Sequence, residues 1–368
     1  MAESADNEAG GRLRVVVTGA TGNIGSAVVD RLAADPSVAE VVGVARRLPK
    51  DEPGTGHAGA KVTYVAGDAG DEDETALRQA FTGADAVVHL AWLFQPTHDP
   101  ITTWQANAIG SDRVFRLAVE AGVRAIVHAS SVGAYSPGEG RTVDESWPTH
   151  STPTAAYGRE KAYVERILDA IEARHPEIRV VRMRPGFVFQ FAAGTSQRRI
   201  FAGPFVPKAL LKRGRIPVVP LPAGLRFQAV HSEDLADAFH AAVVRDVRGA
   251  FNVASEPIID AQGLGEILGA RVVTVPRPVV RTALAAGWHA RLVPAEPALF
   301  DLFLPLPTLD TTRARTELGW EPTRTGPEAL REALDGMAEG AGGATEPLAE
   351  DSVAGRAHEV ATGVGERP

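Results

Sequence analysis

The 368-residue sequence contains no cysteine. That excludes disulfides, thiol nucleophiles, thiolate zinc sites and iron–sulfur clusters, and it suits a reducing compartment. Long apolar runs are missing too. No stretch approaches the ~18 apolar residues of a membrane helix, and the longest candidate, Val272–Ala290, is broken by Arg277, Arg281 and two prolines. The first eleven residues are small and acidic, without the apolar segment of a secretion signal. A soluble cytoplasmic protein with no membrane partner is expected. Basic excess is also absent: 38 Lys and Arg face 46 Asp and Glu, a formal charge of −8. A nucleic-acid binder usually shows a basic stripe, so no nucleic-acid partner is expected.

The acidic excess lies at the ends. Residues 1–11 hold three acids and no base; residues 335–368 hold seven acids, two arginines and no aromatic residue. Both are read as disordered, because so little apolar surface cannot offset the entropy of ordering. Residues 12–334 balance in charge and are read as the folded body.

Within that body strands and helices alternate. Short Val-rich runs at Leu13–Thr18, Val41–Ala45, Val62–Ala66, Ala86–Leu90, Ala125–Ala129, Arg179–Met183 and Ala250–Val253 read as strands. Helical spacing marks Asn23–Ala34, Ile101–Ala121, Ala155–Ala173 and Ser232–Val244. Continuous apolar strands separated by helices imply an α/β fold, a Rossmann-type doubly wound parallel sheet covered on both faces. After Pro185 the pattern loosens. Two Pro-rich excursions, near 187–230 and 269–308, are expected to build a smaller C-terminal substrate lobe.

The first strand runs directly into Thr18-Gly19-Ala20-Thr21-Gly22-Asn23-Ile24-Gly25. Glycine permits the tight strand-to-helix turn and close backbone approach to a pyrophosphate. The helix start then offers free N–H groups and a partial positive charge to the anion. Between a strand and a helix, this spacing indicates dinucleotide binding. No Gly-Lys-Ser/Thr follows, which argues against a nucleoside-triphosphate loop.

Tyr157 and Lys161 form Y-x-x-x-K on a helix, where i, i+4 spacing places both on one face. With four tyrosines and five lysines in 368 residues, such a pair arises by chance roughly 0.05 times. A phenol near pKa 10 is a poor acid–base group at neutral pH. A neighbouring ammonium is expected to lower that value. Ser130 and Ser131 follow the fifth strand, at the sheet end where ligands bind.

These motifs resemble the extended branch of the short-chain dehydrogenase/reductase superfamily, the epimerase/dehydratase-like proteins. The resemblance covers roughly residues 13–334. It extends through Gly67-Asp68, His89-Leu90-Ala91, Asn107–Ser111 and Leu309–Pro322. It implies catalytic Ser131, Tyr157 and Lys161, with Ser130 as the alternative hydroxyl. It implies cofactor contacts from Gly19, Thr21, Gly22, Asn23, Ile24, Gly25, Asp68, Leu90, Ala91, Tyr157, Lys161 and Pro185. Asn107 would tie Lys161, bend its own helix or simply cap. Arg184-Pro185-Gly186 resembles the segment beside the nicotinamide but lacks its final Tyr-Gly. A homodimer through the helices around Asn107 and Tyr157 is also implied.

The second strand ends Val44-Ala45-Arg46-Arg47, with no acid to hold a ribose 2′-hydroxyl. Arg46, with Arg47 second, therefore reads as a 2′-phosphate clamp, so NADP(H) is expected over NAD(H), which stays possible. Phe187, Phe189, Phe191, Phe201 and Phe205, with Trp92, Leu93 and Phe94, either line an apolar small-molecule substrate pocket or form the small lobe's core. Arg198 and Arg199 could instead meet a diphosphate. Nucleotide-sugar relatives carry R-D-F-V-H-V-D-D, whereas Arg226 here stands one place out. His89 and His231 read as structural, Asp144-Glu145 as a solvated loop, and no metal spacing occurs. The leading expectation is an NAD(P)-dependent carbonyl reductase or alcohol dehydrogenase. The alternatives are a nucleotide-sugar epimerase or dehydratase with tightly held NAD, or a non-catalytic dinucleotide sensor.

Overall fold

The computed structural model describes residues 12–49, 61–94, 97–350, 360 and 363–364. The expected disordered N-terminus, residues 1–11, lies outside them. Seven parallel strands form the central sheet: β1 (Leu13–Thr18), β2 (Val38–Ala45), β3 (Val62–Ala66), β4 (Ala86–His89), β5 (Ala125–Ala129), β7 (Arg179–Pro185) and β11 (Gly249–Val253), with the two-residue β6 (Thr142–Val143) outside it. Their order is β3-β2-β1-β4-β5-β7-β11. The crossing point between β1 and β4 is the place where doubly wound sheets bind ligands, at the strands' carboxyl ends.

Successive residues of a strand face opposite sides of the sheet, and here both sides are covered. Val15, Val17, Val88 and Val127 pack beneath α1 (Asn23–Ala33) and α7 (Ser232–Val244). Val16, Val87, Ile126 and Val180 pack against α2 (Thr75–Phe81), α4 (Gly110–Glu120) and α5 (Ala156–Arg174). Each fully buried Val contributes ~1.5–3 kcal/mol relative to exposure, which is why these strands read as unbroken apolar runs.

The helix expected at Ile101–Ala121 starts at Pro100 and is not uniform. It comprises α3 (Pro100–Trp104), a π turn (Gln105–Ile109) and α4. Asn107 lies inside that turn, facing the interior. Such turns concentrate at functional sites.

The small lobe contains β8 (Phe187–Phe189), α6 (Gly194–Phe201), β9 (Val218–Pro222), β10 (Arg226–His231), β12 (Ser255–Asp260), α8 (Ala261–Leu268), β13 (Arg271–Val275), α9 (Arg277–His289) and α10 (Pro297–Phe303). β10 pairs with β8 and β12, and β9 pairs with β13. The apolar stretch Val272–Ala290 is thus a strand followed by a helix. Later come β14 (Thr308–Leu309), paired with β6, α11 (Thr312–Glu317) and α12 (Gly326–Glu339). Trp320 is buried and donates its indole N–H to Asp234 O at 2.7 Å, pinning this segment to α7.

The tail expected to be disordered from Asp335 is corrected over its described part. Asp335–Glu339 complete α12, stabilised by a Thr325–Glu328 capping box. Leu348 is buried, so this segment does find apolar surface to cover. Residues 351–359, 361–362 and 365–368 lie outside the described residues.

Candidate active site

The glycine loop is shaped by close approach. Gly19 has φ +74°, and a Cβ there would lie 2.6 Å from the Ala91 nitrogen. A Cβ on Gly25 would lie 2.1 Å from the Gly19 carbonyl oxygen, so that residue seats α1 against the loop rather than facing the cleft. No side chain caps the start of α1, leaving its first-turn N–H groups for an anion.

The loop borders a cleft of about 360 Å³ whose lining includes Gly19, Thr21, Gly22, Asn23, Arg46, Arg47, Asp68, Leu90 and Ala91. Nine of the sequence-expected cofactor contacts therefore meet in one place. Ile24, Gly25, Tyr157, Lys161 and Pro185 are not on its wall; Pro185 ends β7, paired with Val253. Arg46 and Arg47 are exposed at the end of β2. Backbone glycine, a helix start and cations at the cleft fit a dinucleotide.

The chain's C-terminal part also reaches this cleft, which the sequence reading missed. Pro347, Leu348, Gly363 and Val364 line it. Thr345 Oγ1 donates to the Thr21 carbonyl at 2.7 Å, and Glu346 pairs with Arg47 at 2.7 Å.

Ser131, Tyr157 and Lys161 gather beyond the carboxyl ends of β4 and β5. Ser131 lies close to Tyr157, its hydroxyl favouring the ionised phenol, and Ser131 Oγ accepts from Gly133 N at 3.0 Å. Lys161 Nζ donates to Ala129 O at 2.7 Å and lies 3.3 Å from the Trp92 ring centre. Burial pushes the Tyr157 phenol up to about 12, with Glu160 raising it further and the Ser131 hydroxyl opposing. The expectation that Lys161 lowers this phenol is corrected: burial holds Lys161 itself well below its ordinary value, against the pull of Glu160 and Glu165.

Two buried acids on α5 were missed. Glu160 Oε2 accepts from Asn107 Nδ2 and Oε1 from Thr103 Oγ1, each at 2.7 Å. Asn107 also accepts from Leu93 N at 2.6 Å and donates to Leu93 O at 3.0 Å. It therefore holds the loop after β4, and its amide goes to Glu160 rather than Lys161. Glu165 accepts from Ser130 Oγ at 2.6 Å and takes a bidentate clamp from Arg184, both contacts 2.9 Å. Burial alone would raise its carboxyl; Arg184, Arg182 and Ser130 hold it below the usual range. Arg184 further donates to Tyr135 Oη at 3.0 Å. An acid one helical turn past Lys161 was the available signal, but i, i+4 spacing does not name the partner.

Other expectations divide. His89 bridges Thr18 Oγ1 and Ser111 Oγ at 2.7 and 2.9 Å and is structural. Glu145 is not merely solvated: it accepts from Asn252 N at 2.8 Å. Arg198 is fully buried and donates to Gly203 O at 3.0 Å, which removes it from any diphosphate site. Arg199 lines the glycine-loop cleft. Phe189 joins the small-lobe core, while Phe187 and Phe201 line a cavity.

The sequence matches the NAD dependent epimerase/dehydratase family over residues 15–254. The chain belongs to that family. An uncharacterized protein of Mycobacterium tuberculosis is 25% identical over 322 residues, 87% of this chain and 29% of that protein. This family member thus spans less than a third of that relative's length. The 4-hydroxy-2-methyl-3-oxo-4-farnesyl-3,4-dihydroquinoline-1-oxide ketoreductase of Stigmatella aurantiaca is 29% identical over 119 residues, 32% of this chain and 35% of its own. The Thermus thermophilus UDP-glucose 4-epimerase, solved with NAD, shares the fold with TM-score 0.62 and 22% identity, covering 89% of this chain and 100% of that one.

Proposed function

We propose that this chain is an NAD(P)-dependent oxidoreductase that interconverts a carbonyl and an alcohol. The observation that carries this reading is the nearness of Ser131 to Tyr157, both bordering Gly133, with Lys161 one turn further along α5, beside the dinucleotide cleft. A bound nicotinamide supplies or accepts the hydride. Ser131 Oγ holds the substrate oxygen, and Tyr157 Oη gives it a proton in reduction or takes one in oxidation. A phenol near 12 is protonated at neutral pH, which favours the reducing direction. Lys161 orients the cofactor ribose.

NADP(H) is the preferred cofactor in this reading, supported by Arg46 and Arg47 at the cleft and by the lack of an acid ending β2. The relatives solved with NAD support NAD(H) as the alternative. A homodimer through α3–α4 and α5 is supported by the exposed apolar side chains Ile101, Ile109 and Tyr163.

A second reading, a nucleotide-sugar epimerase or dehydratase, is favoured by the family and by its UDP-glucose 4-epimerase member. Absorbance at 340 nm separates the two. Net NADPH consumption with a carbonyl panel is expected, lost in Tyr157→Phe while cofactor binding persists. Sugar conversion without net cofactor change would replace the first reading with the second.

A further inference from the structure

Next to Tyr157 lies a cavity of about 250 Å³ that shares only Phe94 and Ile200 with the cofactor cleft's described lining. It sits between β8, β10, α6, α9 and α10. Six of the chain's 13 phenylalanines line it: Phe94, Phe187, Phe201, Phe227, Phe300 and Phe303. Of the fifteen described residues on its wall, fourteen are apolar, and the other is Arg226. Phe94 and Phe303 lie 4.7 and 6.0 Å from the Tyr157 ring, and Phe303 lies 5.2 Å from Phe187. An aromatic path therefore leads from the phenol into the cavity. Arg226 is half-buried, and its guanidinium has no hydrogen-bond or ion-pair partner among the described residues.

We propose that this cavity receives the body of the substrate, an apolar ring-bearing carbonyl compound whose single acidic group meets Arg226. The inference rests on the oxidoreductase reading for its chemistry and names the substrate class of that site. A sugar fits poorly here. Each hydroxyl buried without a partner costs ~1–3 kcal/mol, and the lining offers one polar side chain. Where the nucleotide-sugar pattern has an arginine four residues before the β10 histidine, this chain has Phe227, edge-on to Phe187 at 5.2 Å. Aromatic walls gain from ring contacts beyond plain area burial, and one unpaired guanidinium suits one carboxylate.

The test uses the full chain and three probes: 2-naphthoate, 2-acetonaphthone and UDP. Binding is measured by calorimetry in Tyr157→Phe with NADPH present, so affinity is read without turnover. Naphthoate is expected to bind at least about tenfold more tightly than UDP. Arg226→Met should weaken naphthoate about tenfold and acetonaphthone, which carries no acid, by much less. Leu284→Glu, at the cavity wall on a half-exposed helix position, should weaken both aromatic probes while the melting temperature stays within a few degrees. Tighter binding of UDP, or naphthoate affinity unchanged in both variants, would overturn the proposal. If naphthoate binds as expected but the wild type reduces no aryl ketone, the oxidoreductase reading fails and the pocket assignment stands.

Discussion

Lys161 Nζ lies 3.3 Å from the centre of the Trp92 indole, directly beside the glycine-loop cleft that Trp92 lines. The indole face and the Ala129 carbonyl, 2.7 Å from Nζ, together fix the lysine. Trp92→Phe should keep most turnover, whereas Trp92→Leu should lower kcat about tenfold. Trp92 emission should also change when NADPH is added. An unchanged kcat in the leucine variant would show that the ring does not position Lys161.

The two adjacent serines should separate cleanly. Ser131→Ala removes the hydroxyl beside Tyr157 and should cost about 10²- to 10³-fold in kcat with little change in melting temperature. Ser130→Ala leaves the buried Glu165 carboxylate short of a donor and should destabilise by about 1–3 kcal/mol, measured by denaturant unfolding, with a smaller effect on turnover.

The raised Tyr157 phenol sets the sign of the pH dependence. In the oxidoreductase reading, reduction uses its protonated form, which prevails at every pH well below about 12. The reduction rate should therefore be flat from neutral to mildly alkaline pH. Oxidation uses the phenolate, whose fraction climbs about tenfold per pH unit in the same interval. Ser131→Ala removes a contact that lowers this phenol, so it should depress oxidation more than reduction. Parallel pH–rate profiles in both directions check this.

At the other end of the cleft, Glu346 occupies Arg47, while Arg46 stands exposed beside it. Arg46→Ala should weaken NADPH about tenfold and NADH little; equal losses would remove Arg46 as a 2′-phosphate clamp. Glu346→Gln frees Arg47. Because both partners are exposed, the pair is worth at most about 1 kcal/mol, and NADPH should bind no more than about fivefold more tightly.

The central sheet was legible because its signals are local. A strand buried on both faces is an unbroken apolar run, as in Val15-Val16-Val17. A tight turn that a Cβ would block is a glycine, as at Gly19. Tyr157 and Lys161 share a helix face by spacing alone. The small lobe was less legible: its short elements, such as β8 and α10, are set by packing around Phe187 and Phe303 rather than by their own periodicity.

Sequence alone therefore determined the Rossmann-type sheet, the glycine loop and the shared helix face of Tyr157 and Lys161. Tertiary structure decided what surrounds them. Glu165 meets Ser130 across 35 positions, Asn107 meets Glu160 across 53, and Thr345 meets Thr21 across 324. No spacing rule reaches that far. It took the folded chain to bring Trp92 over Lys161 and to raise the phenol by burial instead of lowering it by charge. Protonation depends on the solvent and charges around a group, and those are properties of the packed molecule.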